Sequence, residues 1–286
     1  MRIVNAAGRL GLLTDSGVID VAEASGGRFE AEPQSAYARW DELREWAAQL
    51  PAEVRQSAAR AVDGKELGAP VPRPGQVFGI GLNYRDHAEE AGLDTSPGSM
   101  VVFTKFPSSI TGPEAEVALP PGSNDFEAEL VVVIGRECHR IVAEDAWEYV
   151  AGLTVGQDLS ERDTQLGPPA PPQFSLGKSF PGFSPIGPAV VTPDEFEDAD
   201  DLAIGCVLNG TTMQDSRTKQ MIFPVAEMIA RLSAVVTLWP GDLIFTGTPA
   251  GIGFAREPHV LLRPGDTLVT SIEGIGALTT RFRARD

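Results

Sequence analysis

The sequence predicts an α+β protein, rich in β-strands, in which a small N-terminal unit precedes a larger domain. Short apolar segments recur between Gly, Pro and Asp turns, as is typical of strands. A few short segments between them carry apolar residues at helical spacing. A stretch rich in Pro and Gly at 68–75 is typical of a linker. We therefore divide the 286 residues into a small α+β unit at 1–70 and a main domain at 71–286.

Composition narrows the class of protein. The net charge of −17 argues against nucleic acid and against an anionic membrane as partners. Cys138 and Cys206 are too few for a disulfide framework and lack C-x-x-C spacing, which fits a reducing compartment. The first residues contain no apolar signal region, and no apolar run reaches transmembrane length. These features predict a cytoplasmic protein without a membrane partner.

The N-terminal unit is expected to contain strands followed by helices. Short strands are predicted at residues 2–4, 9–13 and 18–22. Apolar residues at helical spacing predict a helix over 40–50, and Pro51 at a first-turn position predicts a second helix over 52–62. Titratable residues do not cluster here, so packing or support of a dimer is the expected role.

The main domain begins with a strand at 77–82 and a short helix that Asn83 caps and Gly92 ends. On this helix His87 and Glu90 are three residues apart and share a face. Glu90 could therefore hold the His87 imidazole in one tautomer and raise its basicity. The alternative is an ordinary polar face turned to solvent.

A long apolar run at 124–135 contains Glu127 and Glu129. Residues two apart in a strand share a face, and two ionised carboxylates on a buried face need a neutralising partner. A divalent cation with oxygen ligands would meet that need. The alternative is a strand edge on which both carboxylates face water. Asp158 ends another apolar strand, at 150–158, and would supply a third oxygen ligand.

Several polar residues lie at the ends of further predicted elements. Lys105 ends a strand at 100–105. Arg162 and Gln165 are three residues apart in a predicted helical turn at 161–166. Lys178 follows a Pro-rich loop, where a lone lysine is usually solvated.

The last third of the chain is expected to form hairpins and one helix. Asn209-Gly210 is typical of a type I′ turn between two strands, and apolar spacing predicts a helix over 224–235. The glycine-rich segment 247–253 lacks the Lys-Ser/Thr ending of a P-loop, which argues against nucleotide binding. It could still offer backbone N–H groups and the Thr248 hydroxyl to a carboxylate.

In this order, these segments resemble the fumarylacetoacetate hydrolase superfamily. The resemblance extends over about residues 75–275 and is more specific than any single motif. The matching segments are His87 with Glu90, 126–130, Asp158, 162–165, 177–180, 209–210, 221–223 and 247–253. The stretch 77–82 is apolar where the animal fumarylacetoacetases carry a fourth carboxylate ligand, so the chain is similar to the shorter bacterial acylpyruvase-type branch.

The resemblance implies a fold of mixed β-sheets rolled into a barrel-like sandwich with peripheral helices, usually as a homodimer. It implies that Glu127, Glu129 and Asp158 bind Mg²⁺ or Mn²⁺. It also implies that the helix carrying His87 and Glu90 belongs to a lid over a small anionic keto acid.

The resulting hypothesis is metal-dependent hydrolysis of a C–C bond in an acylpyruvate or a related 2,4-dioxo acid. His87, oriented by Glu90, would take a proton from water, which attacks the distal carbonyl. The oxyanion would be stabilised by Arg162, Gln165 and Lys178, and a pyruvate-type enolate would leave, held by the metal as a Lewis acid.

Further residues are assigned to the substrate. Positive charge would come from Arg85 and Lys105, and a hydroxyl from Thr248.

Two other chemistries fit the same residues. The site could decarboxylate a β-keto diacid such as oxaloacetate, or interconvert keto and enol forms or double-bond isomers, for example of a 2-hydroxy-dienedioate. We favour hydrolysis because His87 and Glu90 are both present. A protein of a different class, which binds ligand without catalysis and holds Ca²⁺ at a structural site, would show bound metal and no turnover.

Overall fold

The computed structural model describes residues 1–90, 98–168 and 171–285, with the side chains of 88–90 excepted. The predicted α+β fold, rich in strands, is confirmed: mixed sheets are accompanied by short helices. Within the described residues the sheets do not close into a barrel. Among those residues, no helix has the length and apolar character needed to cross a bilayer.

Strands make up most of the regular structure. In the first half they are β1 (Arg2–Ala6), β2 (Arg9–Thr14), β3 (Gly17–Asp20), β4 (Ala59–Arg60), β5 (Leu67–Gly68), β6 (Val77–Gly81), β7 (Val101–Thr104), β8 (Ile110–Thr111), β9 (Glu114–Leu119), β10 (Asn124–Asp125) and β11 (Ala128–Ile134). In the second half they are β12 (Val150–Gln157), β13 (Ser160–Glu161), β14 (Ser184–Val191), β15 (Ala203–Leu208), β16 (Thr211–Arg217), β17 (Leu243–Phe245), β18 (Thr267–Ile272) and β19 (Gly276–Ala284).

The helices are short and lie between the strands. They are α1 (Val21–Ala24), α2 (Ser35–Ala38), α3 (Trp40–Gln49), α4 (Ala52–Ser57), α5 (Arg85–Glu90), α6 (Arg162–Leu166), α7 (Phe174–Gly177) and α8 (Val225–Ser233). Single 3₁₀ segments occupy Gly64–Glu66, Pro107–Ser109, Ala143–Tyr149, Pro193–Glu195, Thr218–Gln220 and Gly253–Ala255.

The largest sheet has the strand order β4-β3-β2-β1-β14-β12-β11-β17-β6-β7, with β5 beside β1 and β8 beside β14. A second sheet has the order β16-β15-β18-β19-β9, and β10 pairs with β13 alone. Strand β11 lies deep inside and is buried on both faces. Within the described part of the chain, the protein has two buried apolar clusters, one on each face of β11. Leu130 and Val132 pack in the first, and Val131 and Val133 pack in the second.

Strand directions bring four chain segments to one edge of the large sheet. β11 is antiparallel to β12 and to β17, and β17 is parallel to β6. The start of β11 therefore lies beside the ends of β12, β17 and β6. These points carry the predicted carboxylates, the glycine-rich segment and the helix with His87.

The N-terminal residues extend the large sheet, because β1 pairs with β14 through Arg2 opposite Val191. Trp40 and Leu43 of α3 share an apolar cluster with Val131 of β11. The division of the chain at residue 70 stays a prediction.

Most predicted elements occur, with different ends. The predicted strand at 18–22 stops at Asp20, whose side chain caps α1 by accepting the Glu23 N–H. The predicted helix at 52–62 ends at Ser57, because the next residues pair with β3. The hairpin is confirmed: Asn209 and Gly210 have φ of 50° and 83°, as a type I′ turn requires. The predicted helix end at Gly92 lies outside the described residues.

Candidate active site

Three carboxylates meet at the start of β11. The ligand oxygens of Glu127, Glu129 and Asp158 all lie within 4.8 Å of one another. The strand predicted over 124–135 is interrupted, so Glu129 lies in β11 and Glu127 lies one residue before it. Asp158 follows β12, and its N–H donates to the Glu127 carbonyl at 2.9 Å. The side chains do not face water, since the three residues are 7%, 1% and 0% exposed.

Two buried lysines neutralise part of this cluster. The Lys178 ammonium lies 2.7 Å from Glu127, 2.6 Å from Asp158 and 2.9 Å from the Ser160 hydroxyl. Lys105 donates to the other Asp158 oxygen and to the Lys178 carbonyl. Both lysines are about as buried as the apolar core, so Lys178 is not an ordinary solvated loop residue.

Arg162 joins the cluster from the first turn of α6. Its Nη2 lies 2.6 Å from Asp125 and 2.7 Å from Glu127. Its Nη1 donates to the Gln165 amide oxygen at 2.8 Å, as the predicted spacing of three residues allows. Sequence reasoning missed Asp125, although Asp125, Glu127 and Glu129 follow a period of two that could have indicated it.

The cations and carboxylates alternate in space. The ionic row, as we call it, consists of Asp125, Arg162, Glu127, Lys178, Asp158 and Lys105. Glu129 stands outside the row, and no cation among the described residues pairs with it. Its Oε2 accepts the Gly247 N–H at 2.8 Å. Among the described residues, four buried carboxylates thus face three cations, and one carboxylate has no cation to pair with it.

The pKa values of the two glutamates move in opposite directions. Burial would raise the pKa of Glu127, but Lys178 and Arg162 outweigh burial and lower it to about 2. Burial, followed by the charges of Asp158 and Glu127, raises the pKa of Glu129 well above its ordinary value. A divalent cation would relieve this repulsion. Clustered hard oxygen donors with one uncompensated charge could therefore hold a metal ion.

The predicted histidine helix is anchored beside the cluster. The Asn83 side chain donates to the Thr246 and Phe223 carbonyls at 2.7 and 3.1 Å and accepts the Phe223 N–H at 2.8 Å. His87 follows on α5 and is 9% exposed. The side chain of Glu90 lies outside the described part of the chain, so its contact with His87 stays a prediction.

A buried tyrosine on this segment was not singled out from the sequence. The Tyr84 hydroxyl is buried and has no hydrogen-bond partner among the residues that the structure describes. Burial, followed by the charges of Glu129 and Asp86, raises the pKa of Tyr84. Tyr84 is therefore a buried hydrogen-bond donor within the electrostatic field of the cluster.

The remaining predicted substrate residues differ in their surroundings. The Thr248 hydroxyl accepts a hydrogen bond from Gln214 at 2.7 Å, and Gln214 also binds the Ala128 N–H at the start of β11. Thr248 therefore lies next to the cluster. The Arg85 guanidinium donates to the Met221 carbonyl at 3.2 Å. Among the described residues, Arg85 makes no ion pair with the carboxylates.

Similarity to known proteins identifies the family of this chain. A sequence model described as "Fumarylacetoacetate (FAA) hydrolase C-terminal" matches residues 76–283. The chain belongs to the fumarylacetoacetate hydrolase family. Structural similarity extends beyond residues 76–283 to the whole chain. The crystal structure of an HpcE candidate from Mycobacterium smegmatis is 55% identical in sequence, with a TM-score of 0.92 and complete coverage of both chains.

Other members of the fumarylacetoacetate hydrolase family carry more specific names. The mitochondrial oxaloacetate tautomerase Fahd2a of Rattus norvegicus is 43% identical over 240 residues, which cover 83% of this chain and 74% of the rat protein. The maleylpyruvate hydrolase of Sphingobium sp. SYK-6, whose structure contains manganese(II) and pyruvate, is 25% identical with a TM-score of 0.82 and complete coverage of both chains. The chain is therefore an enzyme of this family, whose named members act on small keto acids by more than one reaction.

Proposed function

We propose that this chain interconverts the keto and enol forms of a small dianionic keto acid of the oxaloacetate class. The observation that carries the proposal is a buried site in which four carboxylates face three cations, so that a divalent ion would balance the carboxylate in excess. The similarity to the rat oxaloacetate tautomerase supports tautomerisation over the other reactions of the family.

The chain offers ligands for a metal. Glu127, Glu129 and Asp158 would hold Mg²⁺ or Mn²⁺, which as a Lewis acid would stabilise the enolate form of the substrate. With a divalent cation added, the cluster formed by the ionic row and Glu129 would have an excess of one positive charge. Such a site attracts an anionic keto acid in spite of the overall negative charge of the protein.

Transfer of the proton between carbon and oxygen is assigned to His87. Conversion of keto to enol requires loss of a proton from the carbon next to the carbonyl and gain of a proton on oxygen. His87, oriented by Glu90, would take the carbon-bound proton and return it to oxygen. Lys178, Arg162 and Gln165 would hold the negative oxygen between these two steps.

The test follows the loss of enol absorbance from oxaloacetate in excess of the spontaneous rate. Wild-type protein with Mn²⁺ or Mg²⁺ should accelerate the loss, and chelation should abolish the acceleration. His87→Ala should lower kcat by about 10²- to 10⁴-fold. Glu129→Gln should abolish the acceleration that added metal produces. Asp200→Asn, at a carboxylate outside the site, serves as the control. No acceleration by wild-type protein with either metal contradicts the proposal.

Hydrolysis of an acylpyruvate is the second candidate function. The His87 imidazole and the similarity to a maleylpyruvate hydrolase favour it. Incorporation of oxygen-18 from labelled water into the acid product identifies hydrolysis, whereas release of CO₂ from oxaloacetate identifies decarboxylation. A homodimer and a cytoplasmic location also stay predictions.

A further inference from the structure

Asp125 is a fully buried carboxylate at one end of the ionic row. Its Oδ1 accepts the N–H groups of Phe126 and Gly253 at 2.9 and 2.8 Å. Its Oδ2 accepts Nε and Nη2 of Arg162 at 3.0 and 2.6 Å, and the Phe254 N–H at 3.2 Å. Both oxygens are saturated, so Asp125 has no room for a metal or a substrate and must act through its partners.

The last residue of the glycine-rich segment, Gly253, contacts Asp125 through its backbone N–H. A Cβ on Gly253 would lie 2.7 Å from the Asp125 Oδ1 and 1.9 Å from the Val260 carbonyl. A glycine at this position therefore permits the backbone N–H to approach the carboxylate. This contact fixes Asp125 from the side opposite Arg162.

Asp125 in turn fixes the orientation of Arg162. Hydrogen bonds to described residues use four of the five guanidinium N–H groups: two go to Asp125, one to Glu127 and one to Gln165. The Phe254 ring lies 5.9 Å from the guanidinium carbon and covers it. Arg162 thus has a single orientation, with Asp125 holding the edge formed by Nε and Nη2.

The same contact divides the positive charge of Arg162 between two carboxylates. Glu127 accepts Arg162 at one oxygen and Lys178 at the other. Without the Asp125 charge, the buried guanidinium would depend on Glu127 alone and would bind it more strongly. Glu127 would then be a weaker ligand for a cation, and Gln165 would lose its fixed partner.

We propose that Asp125 is a positioning residue: by holding Arg162, it keeps Glu127 available to a divalent cation and Gln165 in place beside the substrate. The effect on Gln165 and the substrate rests on the proposed function. The effect on Glu127 and on cation binding does not depend on which reaction is catalysed.

The test is a double-mutant cycle on Mn²⁺ binding, with free Mn²⁺ measured by electron paramagnetic resonance. Asp125→Asn retains an acceptor for Gly253 but turns an NH₂ group toward Arg162. We expect the affinity for Mn²⁺ to fall about 10- to 100-fold, as is usual when a residue that orients a metal ligand is changed. In an Arg162→Gln background the same substitution should change the affinity by about twofold or less, because the partner is already absent.

Glu161→Gln is the matched control. Glu161 is a buried carboxylate that accepts the Asp163 and Thr164 N–H groups at 3.0 and 2.7 Å and caps α6, the helix of Arg162. This variant should lower the melting temperature while its Mn²⁺ affinity equals that of wild type.

Three results would overturn the proposal: wild-type Mn²⁺ affinity in Asp125→Asn, an equal loss in both backgrounds, or no Mn²⁺ binding by wild-type protein. A steady-state assay then separates the two proposals. Wild-type protein that binds Mn²⁺ and shows the expected coupling, but does not act on oxaloacetate, contradicts the proposed function and supports the role of Asp125. If turnover is present, Asp125→Asn should raise KM more than it lowers kcat.

Discussion

Glu129 differs from the other buried carboxylates of the site because no cation among the described residues neutralises it. Its backbone position gives it no alternative, since Val131 and Val133 share its face of β11 and lie in an apolar cluster. The Gly247 N–H donates to its Oε2 at 2.8 Å. The free energy of the metal-free protein should therefore depend on whether Glu129 is ionised.

We predict that Glu129→Gln changes the pH dependence of stability in protein stripped of metal. Glu129 has a raised pKa in the folded state and an ordinary value near 4.5 in the unfolded chain. As the pH rises above 4.5, the unfolded chain loses this proton while the folded protein keeps it, so the folded state is disfavoured by up to about 1.4 kcal/mol per pH unit. Glu129→Gln removes this contribution.

The measurement is urea unfolding of both proteins in the presence of a chelator. The pH is varied between roughly 5 and 8, because ordinary carboxylates stay ionised in this range. The stability of wild type relative to the Gln variant should fall as the pH rises. Other titrating groups are common to the two proteins and cancel in the difference. Parallel pH profiles would show that Glu129 ionises normally in the folded protein.

At the scale of elements, the site depends on the short segment that links β6 to α5. Asn83 ties this segment to the Phe223 backbone and to the Thr246 carbonyl after β17. The glycine at 247 permits the close approach, because its φ is +95° and a Cβ there would lie 2.7 Å from the Asn83 Cβ. The position of His87 is therefore set at the start of its helix.

We predict that Asn83→Ala loosens this anchor. The substitution leaves the Phe223 N–H and two buried carbonyls unpaired, which should lower the free energy of unfolding by about 3 kcal/mol. Amide exchange at Phe223 should become faster in the variant. Arg85→Ala, which removes a contact of an exposed side chain with the Met221 carbonyl, is the control and should leave Phe223 exchange unchanged. Equal exchange rates in Asn83→Ala and wild type would contradict the role of Asn83.

The sequence allowed much of this site to be predicted, but local patterns could not supply all of it. Periodicity and turn residues located the strands that carry Glu129 and precede Asp158. Pairing of Lys105 and Lys178 with the same aspartate joins parts of the chain 53 and 20 residues away from it. Such contacts depend on sheet order, which a single sequence does not encode locally. The period of two could have indicated Asp125 as a member of the cluster, but its contact with Arg162, 37 residues away, depends on the tertiary fold as well.

For the whole molecule, the N-terminal residues share an apolar cluster with the face of β11 to which Glu129 belongs. β1 pairs with β14, and the buried residues of α3 belong to the same apolar cluster as Val131 and Val133 of β11. Glu129 shares this face by strand alternation. Burial of the carboxylate cluster therefore depends on a sheet that is completed by residues before 70.

We predict that residues 71–286 do not fold cooperatively by themselves. Removal of 1–70 would expose the apolar residues that share a cluster with α3, namely Val131, Val133, Ile186, Val190, Leu243 and Phe245. At about 2 kcal/mol for each side chain, the loss is comparable to the entire stability of a domain, about 5–15 kcal/mol. The truncated chain should bind a hydrophobic dye and show no sharp thermal transition. The control is a mixture of residues 1–70 and 71–286, produced as separate chains and refolded together, which should regain the transition. A sharp transition of the truncated chain at the wild-type temperature would instead establish residues 1–70 as a separate domain.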